Sequence, residues 1–462
     1  MVSRMSTLQS PETIHGPATP ASGRLYYGWV VLTVCVTVIA VISPVIPSFS
    51  LFYVAVLKDF AWNRGSMAMA MSIHLVLTGA ASPLAGALID RFDPRRVMPF
   101  GALITGVALI WLSRGATLWH FYLAFGVLAA IGTAMLHIVP LTTIVSNWFV
   151  VNRGTAIGIV TAGSGAGQLF LLPLIEYLIH RVGWRNTYLA LGAMIMVIPS
   201  ALILLFLYRR PEDRGLSAEN ETGPKQKHTP IRPQAQENTG PNVSPDKDLV
   251  IFDKNWAETD WTIGKAIHTF RFWAIALVMA MFGAGFFITS VHLVAYLLDK
   301  GYSSILAASV VGLQGFITII GTIVGGTLSD RIGREKTLTV SIAVFISCIV
   351  LLNICGVIQS SILVYAFAVL YGMGYGMAQP ALMASAADLF EGQHFGSILG
   401  IIILGAFGGG AIGTWLGGYF FDLTQGYQIN FLVAAATMLV SAGLIWIARP
   451  GRVRIVRTAQ AG

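Results

Sequence analysis

The sequence predicts an all-α membrane protein: twelve transmembrane helices arranged as two pseudo-symmetric bundles of six. Composition, the length of the apolar runs and an internal repeat each point there. Of 462 residues, 55% are hydrophobic and only 11% are charged, a balance that aggregates in water, so lipid must be the solvent for most of the chain. A helix needs about 20 apolar residues to cross the hydrocarbon core, and run after run meets that length without Lys, Arg, Asp or Glu at its centre. The runs are continuous and broken by Gly instead of alternating, which excludes a transmembrane barrel.

Residues 1–25 form a tail rich in Ser, Pro and Thr. It lacks the compact apolar region and cleavage site of a secretory signal, so the first span is expected to direct its own insertion. Six spans follow, at 26–53, 65–90, 97–113, 119–148, 154–179 and 187–208, making an N-terminal bundle over 26–208. From 209 to about 255 the chain turns to Pro, Asn, Glu, Lys, Thr and Gln, too poor in apolar side chains to build a core. A flexible cytoplasmic linker is expected over 209–270. It ends in an amphipathic helix within WAETDWTIGKAIHTFRFW, Trp256 to Trp273, where Trp261, Ile263, Ala266 and Ile267 share a face and Lys265 and Arg271 reach headgroups. The C-terminal bundle, 271–448, carries spans at 271–298, 304–329, 336–357, 361–387, 396–421 and 428–448, and 449–462 is a second tail.

With both termini cytoplasmic, 23 Lys and Arg lie inside and six outside, as the positive-inside rule requires. The net charge of +8 therefore reports topology, and no nucleic-acid partner is expected. The three cysteines, Cys35, Cys348 and Cys355, fall in apolar runs without metal-ligand or redox spacing and read as packing residues. No cofactor or metal is expected.

The halves repeat. GALIDRFDPRR, Gly86 to Arg96, recurs as GTLSDRIGREK, Gly326 to Lys336, at an offset of 240 residues, and Pro140 matches Pro380 at the same offset. Arg153-Gly154 corresponds to Phe395-Gly396, and Trp29 to Trp273. Many secondary transporters are built from duplicated six-helix halves, with the substrate site at mid-membrane between them.

The pattern Gly, three residues, Asp-Arg, one residue, Gly-Arg, then Arg or Lys after a second span resembles the signature of the major facilitator superfamily. The resemblance covers nearly the whole chain. The second half matches at Gly326, Asp330, Arg331, Gly333 and Arg334, with Glu335 where a basic residue is usual. The first matches at Gly86, Asp90 and Arg91, with Asp93 and Pro94 replacing Gly-Arg before Arg95 and Arg96. The resemblance implies the major facilitator fold and a conformational latch. Asp90, at a helix end, would face the positive N-terminal end of the eleventh span near Gly396, a contact present in only one arrangement of the halves. Asp90, Arg91, Arg95, Asp330, Arg331 and Arg334 are the expected latch residues; the alternative is that they only anchor helix ends at cytoplasmic loops.

Within the superfamily, NRGTAIGIVTAGSGAGQ, Asn152 to Gln168, and HLVAYLLDKGYS, His292 to Ser303, resemble bacterial relatives of the monocarboxylate and oxalate carriers. That implies a bacterial inner (plasma) membrane. Gly158, Gly163, Gly165 and Gly167 of the fifth span permit close helix approach. The span lacks the Gly-Pro pair of proton-driven drug antiporters, which favours uptake over efflux.

Ionisable groups in hydrocarbon are costly, so each is a candidate site. The inventory is His74, His137 and His292 within spans, Glu176 near an outer end and Asp388 near an inner one. Monocarboxylate carriers typically place an Arg in the eighth span and often a Lys in the first. Here the eighth span, Ser304 to Ser329, offers Gln314 and the first offers Ser48, so a dedicated anion clamp is absent. His292 aligns by the repeat near Ser48 and can hydrogen-bond an acid or, protonated, pair with a carboxylate; the alternative is a histidine bonded near the outer interface. His137, in the fourth span, is the other cavity candidate, while His74 reads as packing. Glu176 lies about 33 Å along the helix from Gly154, at the outer boundary, and Asp388 reads as a helix-end or gate residue. Tyr371, Tyr375 and Gln379 recur every four positions on one face of the tenth span, as cavity lining or as aromatic packing. The expected substrate-binding set is thus His292, His137, Tyr371, Tyr375, Gln379, Ser48, Gln314 and Tyr296, with Tyr53 and Thr289 as further lining groups.

No phosphate-cradling loop, zinc-protease motif or nucleophile elbow is present, and GSGAG, Gly163 to Gly167, lies inside a membrane helix. No enzymatic activity is expected. The expected function is alternating-access transport of a small organic acid, of monocarboxylate or aromatic type, with protons as co-substrate, by a monomer in the lipid bilayer. Export of an amphiphilic compound and a transporter-like sensor are the alternative readings.

Overall fold

The structure is a computed structural model, and it describes residues 26–149, 153–214, 248–251, 253, 256, 259–390 and 394–457. Most of the expected linker, 215–247, lies outside the described residues. The end carrying the two Asp-Arg loops is called the inner end below, the opposite one the outer end.

The first span is α1, Gly28–Ile42, and α2, Val45–Phe60, joined through Ser43 and Pro44 and stopped by Ala61 in the left-handed region. Next come α3, Arg64–Arg91, and α4, Pro94–Leu112. Pro94 starts α4 at its first position, where no amide hydrogen is needed, and the Asp93 side chain accepts from the Arg95 amide at 2.9 Å. The fourth span is split into α5, Leu118–Ala134, which contains a π-helical stretch over Phe121–Ala129, and α6, Ile138–Trp148. The fifth and sixth spans are two helices that meet without a loop at a kink at Gly183, whose φ of 82° is open to glycine at little cost; together they are labelled α7, Arg153–Phe206.

The second half is more regular. A five-residue helix α8, Ile263–Ile267, precedes α9, Phe270–Asp299, α10, Ser304–Ile332, α11, Arg334–Cys355, α12, Ser361–Phe390, α13, Phe395–Thr424, and α14, Gln428–Ala448. Ten helices among the described residues are long and apolar enough to cross a membrane. The twelve expected spans are therefore not separated one by one, because two share α7 and one is broken. The segment expected to lie amphipathically on headgroups shortens to α8; Trp256 and Trp261 turn inward while Trp273 stays exposed. Trp256 donates to the Leu389 carbonyl at 2.6 Å, and Trp261 packs edge-on against Phe390. Two short strands, β1, Asp248–Ile251, and β2, Arg454–Arg457, pair antiparallel and tie the end of the linker to the C-terminal tail.

Each half is held by helix contacts too close for side chains. A methyl group on Gly167 of α7 would sit 2.1 Å from the Ala40 carbonyl of α1, and one on Gly409 of α13 would sit 2.0 Å from the Ala280 carbonyl of α9. These are equivalent places in the repeat, so both halves use the same backbone-to-backbone device, as membrane helices without a hydrophobic driving force between them must. Between the halves, α3 packs on α13, α7 on α10 and α2 on α9.

Candidate functional site: a central chamber closed at the outer end

A chamber of about 310 Å³ lies where the halves meet. Ser43, Pro47 and Ser50 face it from the α1–α2 span, Thr78 from α3, His137 from the α5–α6 break, and Thr161, Ser164 and Gln168 from α7. The second half contributes Phe286, Phe287 and Ser290 from α9, Gln314, Thr318 and Thr322 from α10, Tyr371 and Tyr375 from α12, and Phe407 from α13. No Lys, Arg, Asp or Glu is among the lining residues.

One wall is aromatic. Phe286 stacks on Tyr375 with ring centroids 3.9 Å apart, and the Tyr371 hydroxyl donates to the Phe286 carbonyl at 2.9 Å, fixing that wall. The neighbouring helix α10, packed directly on α12, supplies amide and hydroxyl groups. Thr318 and Thr322 donate to helix carbonyls one turn back, at 2.8 and 2.9 Å, leaving their oxygens free to accept. Gln314 is 5% exposed and its Nε2 has no hydrogen-bond partner; the Thr78 hydroxyl is likewise buried without one. Buried donors are rarely left unmade without a reason, and here both face the chamber.

Of the eight substrate-binding residues expected from the sequence, the structure brings His137, Tyr371, Tyr375 and Gln314 to this chamber. It places the other four elsewhere. Ser48 is buried with its hydroxyl on the Val45 carbonyl, at 2.9 Å. His292 lies beyond the chamber toward the outer end, its Nε2 3.0 Å from the Thr414 carbonyl and its ring edge-on to Tyr53. Tyr296 is farther out, donating to the Leu352 carbonyl at 2.9 Å. Gln379 is half-buried outside the lining. His74 packs within the first half, its Nδ1 2.8 Å from the Phe125 carbonyl. Sequence reasoning missed Gln168, Thr78, Ser290 and Phe286; Ser290 and Phe286 lie within one turn of Thr289, already chosen as lining, whereas Gln168 and Thr78 had no chosen neighbour to point to them.

The outer end is shut by contacts across the halves. The Asp422 carboxylate, at the end of α13, accepts from the Arg64 amide at 2.9 Å and the Gly65 amide at 2.8 Å, at the start of α3. The Arg64 guanidinium pairs with Asp299 of α9 at 2.9 Å, lies 3.6 Å over the Phe421 ring and contacts the Tyr427 hydroxyl. Across α7 and α10, His180 bridges Glu176, at 3.1 Å, and Ser304. Glu176 thus belongs to the outer closure.

At the inner end the expected latch residues make contacts within their own halves. Arg334 pairs with Asp330 at 2.7 Å and with Asp388 at 3.0 Å. Arg95 lies over the Tyr208 ring and contacts the Leu204 carbonyl at the end of α7. Arg91 and Arg331 are exposed. The side chain of Asp90 lies outside the described residues.

Two helical halves around a chamber that is sealed at one end define a membrane transporter rather than an enzyme. The chain belongs to the Major Facilitator Superfamily, whose family model matches residues 28–391 and 345–460. It is 28% identical over 403 residues to the uncharacterized MFS-type transporter YcxA of Bacillus subtilis (strain 168), covering 86% of this chain and 88% of that one. It is 25% identical to monocarboxylate transporter 13 of Rattus norvegicus, covering 94% and 90%, and 24% identical to monocarboxylate transporter 2 of Homo sapiens, covering 96% and 88%. Among solved structures, a bacterial homologue of the human lysosomal transporter Spinster in an inward-facing, occupied conformation superposes with a TM-score of 0.68 at 12% identity, over 92% of this chain and 97% of that one. The nucleoside transporter NupG, as a point mutant, gives 0.66 at 12% identity over 90% and 100%.

Proposed function

We propose that the protein takes up a small organic acid, of monocarboxylate or aromatic type, together with a proton by alternating access. The observation that carries the reading is the chamber itself: a compact site at the junction of the halves, with aromatic and hydrogen-bonding side chains together in its lining, behind a closed outer end. Its scale suits a small ligand, and the sequence likeness to monocarboxylate transporters supports the acid class. The protein works as a monomer in a bacterial inner membrane with both termini cytoplasmic, the orientation that the distribution of Lys and Arg favours. Asp90, Arg91, Arg95, Asp330, Arg331 and Arg334 form the inner-end latch of the opposite, outward-facing arrangement.

The test is uptake of a panel of labelled organic acids into proteoliposomes, with and without an inward proton gradient. Gradient-driven accumulation of one acid above the protein-free control is the expected result. Failure to accumulate any acid, in vesicles whose protein binds other compounds, shifts the reading to export.

A further inference from the structure

The chamber carries no fixed charge, and that decides which form of an acid it can hold. The titratable groups facing it are His137 from the α5–α6 break and Tyr371 and Tyr375 from α12; the other lining helices bring none among the described residues. A carboxylate moving from one side to the other gives up its water, and an ionised group without a partner in a low-dielectric site is strongly disfavoured. A neutral carboxyl group has no such penalty. It needs one donor for its carbonyl and one acceptor for its hydroxyl, and a primary amide supplies both. Gln314 is such an amide, buried, with an unmade donor facing the chamber. Beside it on the same helix, the Thr318 hydroxyl keeps acceptor capacity.

The rest of the ligand is set by the aromatic lining next to Gln314, on α9 and on α12, which packs against α10. Phe286 and Tyr375 form a stacked pair held by the Tyr371 hydrogen bond, whose ring edges offer an edge-to-face contact to a ligand ring. An apolar cavity of about 150 Å³ holds benzene, so 310 Å³ admits one ring with its polar substituent. We propose that the site recognises the uncharged form of an aromatic monocarboxylic acid, its ring on Phe286 and Tyr375 and its carboxyl on Gln314, so that the coupled proton travels on the solute and not on a side chain. This rests on the organic-acid reading above and specifies which protonation state is bound and where the proton sits.

The experiment is equilibrium binding of benzoic acid and of its permanently neutral analogue benzamide to the full-length protein in lipid nanodiscs, at pH 5 and pH 7. Binding avoids the passive leak of neutral acids across vesicles. The protonated fraction of a simple carboxylic acid falls roughly a hundredfold between these pH values. The apparent Kd of benzoic acid should therefore rise about a hundredfold while that of benzamide stays constant. Gln314→Leu should weaken both ligands about ten- to a hundredfold at pH 5, the loss of two hydrogen bonds, and His137→Gln should leave the pH slope for benzoic acid in place. An affinity for benzoic acid that is flat with pH overturns the inference and leaves the acid-transport reading standing, because a carboxylate is then bound. Loss of the slope in His137→Gln overturns it by moving the proton to the protein. If neither compound binds at either pH, the inference of an aromatic ligand is overturned, while the acid reading is decided separately by the uptake panel.

Discussion

Replacing Asp422 with Asn should release the outer end. In the present arrangement the carboxylate accepts two backbone amides in the first turn of α3, at 2.9 and 2.8 Å. Those amides have no partner within their own helix, and the start of α3 carries the positive end of its dipole. Asn keeps the shape and one accepting oxygen but loses the charge. Two charge-assisted bonds, each worth roughly 1.5–3 kcal/mol, become at most one neutral bond of about 1 kcal/mol. A net loss of at least about 2 kcal/mol shifts the equilibrium between inward-facing and outward-open forms at least about thirtyfold. Spin labels at Ala116→Cys and Val357→Cys, on exposed outer loops of the two halves, report this as a distance distribution; the native cysteines are buried and stay unlabelled. The variant should show a second, longer distance that is minor in the parent. Indistinguishable distributions would refute the reasoning, because Asp422 would then contribute nothing to outer closure.

Three further outcomes follow from the same geometry. Arg334→Ala removes the guanidinium that contacts both Asp330 and Asp388, the latter only 14% exposed, and should cost about 2–3 kcal/mol, read as a fall of several degrees in melting temperature that Arg334→Lys only partly restores. Gly409→Leu drives a side chain into the Ala280 carbonyl and should separate α9 from α13, lowering stability by at least about 1–3 kcal/mol; Gly408→Ala, with open space around its added methyl, should melt like the parent. His292→Ala removes the ring contact with Tyr53, worth roughly 0.5–1.5 kcal/mol, and should widen the outer-end distances modestly while leaving solute affinity unchanged. A large rise in KM on uptake would instead return His292 to the binding set.

The repeat made the two halves legible, and the tight glycine contacts at Gly167 and Gly409 recur in it. The helix-phase errors are equally instructive. Tyr371, Tyr375 and Gln379 look like one stripe, but two four-residue steps drift about 80° around the helix and climb about 12 Å. Gln379 has left the face that Tyr371 and Tyr375 share. Ser48 and His292 miss by a single residue: Pro47 and Val291 line the chamber, and one step turns a side chain by about 100°. The Asp422 contact was illegible from periodicity, since its partner is more than 350 residues away. There was nonetheless a signal. Asp299 and Asp422 each sit near the C-terminal end of a helix, where a negative charge opposes its own dipole, and each finds its positive partner on α3 or its first residue.

The length of α3 also sets the scale of any opening. Its 28 residues span about 42 Å, and its close contacts with α13 run from Gly65 against Tyr419 to Gly79 against Phe407. Beyond Gly79, about 18 Å of helix remains before Arg91. Treated as a beam pivoting there, a tilt of about 10° carries the Arg91 tip about 3 Å one way and the Arg64 tip nearly 4 Å the other. That is the width of a single water molecule at each mouth, so a swing of a few tens of degrees is enough to trade one opening for the other.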